Sequence, residues 1–309
     1  MIGVRRLGLS TVVLGGALLG NILATPVNAQ PAAPSADPAP SGTAEVVAEA
    51  VPTAEELDTQ IEQLQQQVAD LERLSLKPGR PSSSPGIGAN IPTAFGAYKG
   101  DIGIGFGLQQ LRFADRQYDG AAGVTVGFGN PSGRTGFEIG FNVLDLSKFA
   151  KRGSFDFMLH HAVSDTLSVG LGIEDALTYG DTAAVKADER GTRNSVYGVA
   201  SKLLRLKADG SQALSRAYLT LGVGNHRFLS ESRLINGGGG VNVFGGAAFN
   251  VSRRANAFAE WTGQDLIVGA SIAPFRKIPI VITPALADVT GRAGNGTRFV
   301  LGVGYGFSY

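Results

Sequence analysis

The sequence predicts an all-β protein: a closed antiparallel transmembrane β-barrel of about twelve strands, preceded by a short coiled-coil helix. Three observations carry this reading. The segment 299–309, FVLGVGYGFSY, puts Phe299, Leu301, Val303, Tyr305, Phe307 and Tyr309 on one parity, with glycine, valine and serine on the other. Only an extended strand sends alternate side chains to opposite faces, so one face is oily and the other nearly bare. A sheet in water would carry polar groups on that bare face. The same alternation recurs through residues 93–309, with tight turns on one side and long connections on the other, as in a membrane barrel. The N-terminus, finally, reads as an export signal.

Each segment follows in order. Arg5 and Arg6 precede the apolar run Leu7 to Ala24, and Val27-Asn28-Ala29 places small residues before a cut at Gln30. Residues 1–29 are therefore expected to be a signal peptide; Gly15, Gly16, Gly20, Asn21 and Pro26 speak against an uncleaved anchor. Residues 30–53 are rich in Ala, Pro, Ser and Thr, which cannot bury a core and predict a disordered tether. Within 54–75, Ile61 and Val68 take heptad position a while Leu57, Leu64 and Leu71 take d. That spacing predicts a coiled coil and self-association through 54–74, against the alternative of a lone amphipathic helix. Residues 76–92 form a second Pro/Gly/Ser linker.

From residue 93 the apolar parity marks twelve runs, and ten to fourteen strands fit the pattern. The outward sets include Ile102, Ile104, Phe106 and Leu108; Phe137, Ile139 and Phe141; Phe155, Phe157 and Leu159; and Tyr197, Val199 and Leu203. Long connections include 145–153, 175–194, 225–238 and 286–296, whereas 130–133, 163–165 and 252–254 are tight. The short Gly263-Gln264-Asp265 turn departs from this rule and puts one strand boundary in question. Closure has a physical motive, because each unpaired backbone group costs several kcal/mol in lipid and a sheet there must have no edge. A soluble β-sandwich also alternates, but the export signal, the one-sided loops and the terminal aromatic stand against it.

The terminal strand ending in YGFSY resembles the C-terminal signal strand of bacterial outer-membrane β-barrels. That resemblance implies that Tyr305, Phe307 and Tyr309 are read by the barrel assembly machinery. The wider run from EWTGQDLIVGASIAPF to RFVLGVGYGFSY, within residues 93–309, resembles an uncharacterised group of cyanobacterial outer-membrane proteins.

The chemistry is sparse. The chain has no cysteine, which removes disulfides, thiolate metal sites and cysteine nucleophiles together. A net charge of +1 gives no field that would draw nucleic acid. His160 and His161 are adjacent and so point to opposite faces of a strand, and the chain lacks a His-Glu-x-x-His motif; no metal and no cofactor is expected. Ser168, His160 and Asp156 form a hydrolytic triad only on paper, so the chain reads as a non-enzyme. What remains is the inward parity, where Glu138, Asn142, Asp156, His160, Lys202, Tyr218, Asn242 and Glu260 are expected to face the lumen, with Arg112 and Arg216 near strand ends. Inward glycines imply either open space or a segment that enters closely, and a lumen of this size could be shut by an ordered loop or by residues 77–100 folded inside.

The leading expectation is an outer-membrane barrel, its N-terminal region in the periplasm, that passes small solutes like a porin. The partners it implies are outer-membrane lipid, the assembly machinery and further copies of the chain. The alternatives are a non-conducting barrel that anchors a periplasmic coiled coil and, more remotely, a membrane-embedded hydrolase.

Overall fold

A computed structural model describes Gln63 and residues 84–110, 118–130, 133–144, 146, 152–180, 194–210, 212–276, 278–292 and 296–308. The expected signal peptide, tether and coiled-coil positions Leu57, Ile61, Leu64, Val68 and Leu71 lie outside these residues, as do Arg112 and Tyr309.

Twelve strands follow in chain order: β1 Asp101–Gln110, β2 Tyr118–Asn130, β3 Thr135–Leu144, β4 Arg152–Ser164, β5 Leu167–Tyr179, β6 Ser195–Arg205, β7 Arg216–Gly224, β8 Asn242–Ser252, β9 Ala255–Trp261, β10 Leu266–Ile272, β11 Ile280–Ala287 and β12 Arg298–Ser308. Each pairs antiparallel with its sequence neighbours, and β1 pairs with β12 from Asp101↔Ser308 to Gln109↔Val300, so the barrel is closed. Sequential hairpins make this the simplest closed topology, and closure leaves no strand edge to pair elsewhere. The end holding Asp101 and Ser308 is called the near end below, and the opposite one the far end.

The parity seen in the sequence sets the faces. Phe106 is 53% exposed, Leu171 60% and Leu221 64%, while Gly105, Gly107, Gly172 and Gly222 beside them are buried. The large apolar side chains on the outer surface form a belt that also takes in Leu159, Val169, Val223 and Val243. Aromatic rings reinforce it on one flank, where Phe137 stacks on Phe157 at 6.1 Å and Phe141 on Tyr179 at 6.2 Å. A continuous apolar exterior of this kind has lipid as its natural solvent. Leu221 lies mid-strand between Ala200 and Gly245. Leu221→Arg is therefore expected to destabilise the barrel by about 2–4 kcal/mol in guanidinium titrations of vesicle-inserted protein. The same change at Leu206, in the connection that follows β6, should cost far less.

Three expectations need correction. Tyr197, Val199 and Leu203 of β6 are buried on the inner face, not outward. Lys202 is consequently on the outer face: it stands opposite Leu167 and Leu219, both on the outward parity, and its Nζ donates to Thr166 Oγ1 at 2.9 Å. Parity alone does not say which face is inner, and here the inner face is the more apolar. β5 also runs on to Tyr179 rather than ending at Asp175, because Asp175 takes a left-handed conformation (φ 51°) beside a register shift between Phe155 and Phe157. The short turn at 262–265, by contrast, is a genuine hairpin connection between β9 and β10.

Candidate functional site: the occupied lumen

Residues 84–100, which precede β1, do not pair with any strand ladder; they thread the lumen and are referred to as the plug. The composition explains why the segment is irregular. Pro85 and Pro92 lack the backbone N–H a ladder needs, and Gly86, Gly88 and Ala89 between them leave little side chain to obstruct a narrow bore. Ala89, Ile91, Thr93, Ala94 and Ala97 are all buried.

Buried backbone groups must find partners, and the inward side chains supply them. At the near end, Asn256 Nδ2 donates to the carbonyls of Pro85 and Gly86 at 3.1 and 2.9 Å, and Gly86 N–H donates to Ser271 Oγ at 2.7 Å. Farther up β9, Glu260 accepts from Ala89 N–H at 3.1 Å and Asn90 N–H at 2.6 Å. The chain then turns back. Ala94 N–H donates to Ser201 Oγ of β6 at 2.9 Å, and Ser201 and Thr220 hydroxyls lie 2.9 Å apart. Ala97 N–H donates to Glu138 of β3. The Ala97 carbonyl accepts from His160 Nε2 of β4 at 2.9 Å, which fixes the imidazole proton on that nitrogen. Lys99 N–H reaches Gly129 O at 3.1 Å, back at the near end. The plug is thus a loop that rises and returns, held by opposite walls.

Apolar contacts fill the rest. Ile87 and Ala89 pack with Leu203, Tyr218, Phe258 and Ile267, and the Phe95 ring meets Tyr218 edge-on at 6.4 Å. Ile91 and Ala94 pack with Met158, Tyr197, Val199 and Phe244. Gly127 shows how closely plug and wall approach: a Cβ there would overlap Tyr98 O and lie 2.6 Å from the Ala97 carbonyl carbon.

A second element covers the plug apex. The connection between β7 and β8 contains a 3₁₀ turn, His226–Phe228, and a short helix, Glu231–Ile235. Phe228 and Leu229 are fully buried, and Phe228 stacks on Phe244 at 4.3 Å. Asn242 Nδ2 donates to Phe228 O at 3.1 Å and to Gly263 O at 3.2 Å. Gly263 is needed there: its φ is +97° and a Cβ would overlap the Phe228 carbonyl. This folding-in brings Arg227 into the barrel, where it forms a buried ion pair with Glu174 of β5 and donates to Asn90 O at 3.2 Å. Its guanidinium also lies 4.2 Å over the Phe228 ring.

Of the eight residues expected to face the lumen, Glu138, His160 and Glu260 hold plug backbone groups, and Tyr218 packs on the plug. Asn142 donates to Asp156 Oδ2 at 2.7 Å, whose Oδ1 accepts from Asp175 N–H at 2.7 Å. Asn242 steadies the folded-in connection, and Lys202 is excluded by its outward position. Arg216 stays at the near rim and donates to Gly210 O at 3.2 Å. The paper triad does not assemble, because His160 and Asp156 are committed to these other partners. Sequence reasoning missed Ser201, Asn256, Ser271, Glu174 and Arg227. Asn256, Ser271 and Glu174 lie on strands at inward parity and were findable by the same alternation; Ser201 shares the parity of Tyr197, Val199 and Leu203 and was lost with the misassigned face of β6, and Arg227 sits in an irregular connection and gave no signal.

No known protein-family model matches the chain. No curated protein matches it either. Among solved structures, it is similar to a KdgM porin in complex with disordered oligogalacturonate at 10% identity and TM-score 0.40, and to a KdgM porin at 11% identity and TM-score 0.39. Each likeness covers 66% of this chain and 98% of the other, and concerns the fold alone.

Proposed function

We propose that the chain is an integral outer-membrane barrel forming a porin-like channel for small solutes, and that residues 84–100 close the channel reversibly. One observation carries this reading: the plug is bound to the wall through polar side chains and contributes nothing to the strand ladder. It can leave without breaking a single inter-strand hydrogen bond. A filler selected for stability alone could satisfy its amides with neutral hydroxyls, as Ser201 and Ser271 do, without the desolvation cost of a buried carboxylate. Two buried glutamates gripping plug amides suit a closure that must form at a defined place and release.

The same reading includes a cleaved signal peptide over 1–29, a periplasmic tether and coiled coil over 30–75, and recognition of Tyr305, Phe307 and Tyr309 during assembly, as in the bacterial outer-membrane β-barrels whose C-terminal signal strand the sequence resembles. A non-conducting anchor is the second reading, favoured by the number of wall residues that hold the plug at once, from Asn256 and Ser271 to Glu260, Ser201, Glu138 and His160.

Planar-bilayer recordings separate them. Ala89→Pro, Ala94→Pro and Ala97→Pro together remove the N–H donors to Ser201 and Glu138 and the Ala89 donor to Glu260, while leaving every wall residue in place. The wild type is expected to be closed most of the time, and the triple variant to stay open. If the triple variant inserts as a heat-modifiable folded barrel yet the bilayer remains sealed, the channel reading fails and the anchor stands.

A further inference from the structure

Taking the channel reading as its basis, we infer that the opened pore selects cations, and that Glu138, Asp156 and Glu260 are the residues that select them. Among the described residues, four carboxylates on strands face the lumen, Glu138, Asp156, Glu174 and Glu260, and two more, Asp265 and Asp288, are buried in the connections at the far end. Two guanidinium groups accompany them, and both are committed. Arg227 pairs with Glu174, and Arg298 pairs with Asp265 at 2.5 Å. Both pairs join wall or connection residues to each other, so they survive departure of the plug.

Among the described residues the other three wall carboxylates, Glu138, Asp156 and Glu260, form no ion pair, although Arg227 lies near enough to Glu260 to act on it. Glu138 and Glu260 are satisfied in the closed state by plug amides, at Ala97 and at Ala89 and Asn90. Asp156 is held by the Asn142 amide and the Asp175 N–H. Backbone amides carry no net charge and leave with the plug, whereas the carboxylates stay on β3 and β9. Opening therefore replaces each plug contact with water and turns Glu138 and Glu260 into bare anions facing the bore. Carboxylates in water are ionised at neutral pH.

The placement suits permeation. Glu138 and Asp156 line one cavity that persists beside the plug, together with Thr93 and Thr125, so the two acids flank a shared space. Thr93 and Pro92 border this space from the plug side and leave with the plug, whereas Thr125, Glu138 and Asp156 remain on the wall. Glu260 stands on the wall of β9. The groups nearest the rims are mixed: Arg152 and Asp175 toward the far end, Arg216 toward the near end. A narrow bore with low-dielectric walls strengthens the pull of fixed charge on a mobile ion, and rings of Asp and Glu are the usual device of cation pathways. The class of solute is thus a small cation or a protonated amine, rather than an anion.

The test uses the full chain carrying the three proline substitutions, in an asymmetric potassium chloride gradient. A reversal potential of the sign set by potassium is expected, and Glu138→Gln, Asp156→Asn and Glu260→Gln together should bring the potassium-to-chloride permeability ratio several-fold closer to one while conductance persists. An open channel that prefers chloride, or that does not discriminate, overturns this inference alone. So does a ratio unmoved by the three neutralising changes. A sealed bilayer from the proline variant, and from a full chain lacking only residues 86–97, overturns the channel reading along with it.

Discussion

Glu260→Ala is expected to raise the open fraction of the channel about 100-fold, and to raise exchange of the Ala89 and Asn90 amides to the same degree. Glu260 is 2% exposed and accepts both N–H groups at the point where the plug turns back. Alanine leaves those two donors buried without an acceptor. Hydrogen bonds to a carboxylate contribute about 1.5 kcal/mol each at the low end, so about 3 kcal/mol is lost from the closed state. Water satisfies the same donors once the plug is out, and the open state is little affected. At about 1.4 kcal/mol per tenfold, that loss gives the stated ratio. Glu260→Gln keeps one acceptor oxygen and should fall between wild type and alanine. Ser271→Ala removes one neutral bond from Gly86 N–H at the plug base, costing about 1 kcal/mol and raising opening only about five-fold. Native-state hydrogen exchange on detergent-solubilised protein reads all three. Equal protection of Ala89 in Glu260→Ala and wild type would show that apolar packing, not the carboxylate, holds the plug.

Glu260 also illustrates how far the sequence could be read. A lone acid in the otherwise apolar AFAEW segment is legible at once as an inward residue, and so is Glu138 in TGFEIGF. What each of them grips is not legible, because Asn90 and Glu260 are 170 residues apart and no periodicity links them. Strand positions and the lipid-facing belt were readable for the opposite reason: a period-two pattern is local, and lipid imposes it on every strand. β6 was misread by the same logic. The bare-lumen picture assigns Tyr197, Val199 and Leu203 to lipid, yet a lumen filled by chain is a protein core and recruits large apolar residues inward. With both faces apolar the parity of β6 loses its meaning, and Lys202 went to the wrong side with it. The inward glycines were the better clue. Gly127 leaves the space that the Ala97–Tyr98 backbone occupies, a close approach that glycine alone permits.

The buried pair Arg227–Glu174 separates stability from closure. Arg227→Ala is expected to destabilise the barrel by about 3–5 kcal/mol, because Glu174 is then a buried charge with no partner. The arginine also donates to Asn90 O and covers the Phe228 ring, so its loss frees both the plug apex and the folded-in connection above it. Glu174→Leu with Arg227→Met removes both charges and keeps the volume, and such replacements of buried pairs are often neutral or stabilising by about 1–4 kcal/mol. In guanidinium titrations the double variant should therefore be far closer to wild type than Arg227→Ala, giving a large coupling energy. Conductance should order the variants differently. The methionine cannot donate to Asn90 O, so the double variant should open more often than wild type despite its regained stability. A barrel that is both stable and more frequently open would assign the ion pair to closure. A stable barrel that remains closed would leave the pair as filling, and would put the whole hold on the plug apex in the carboxylate of Glu260.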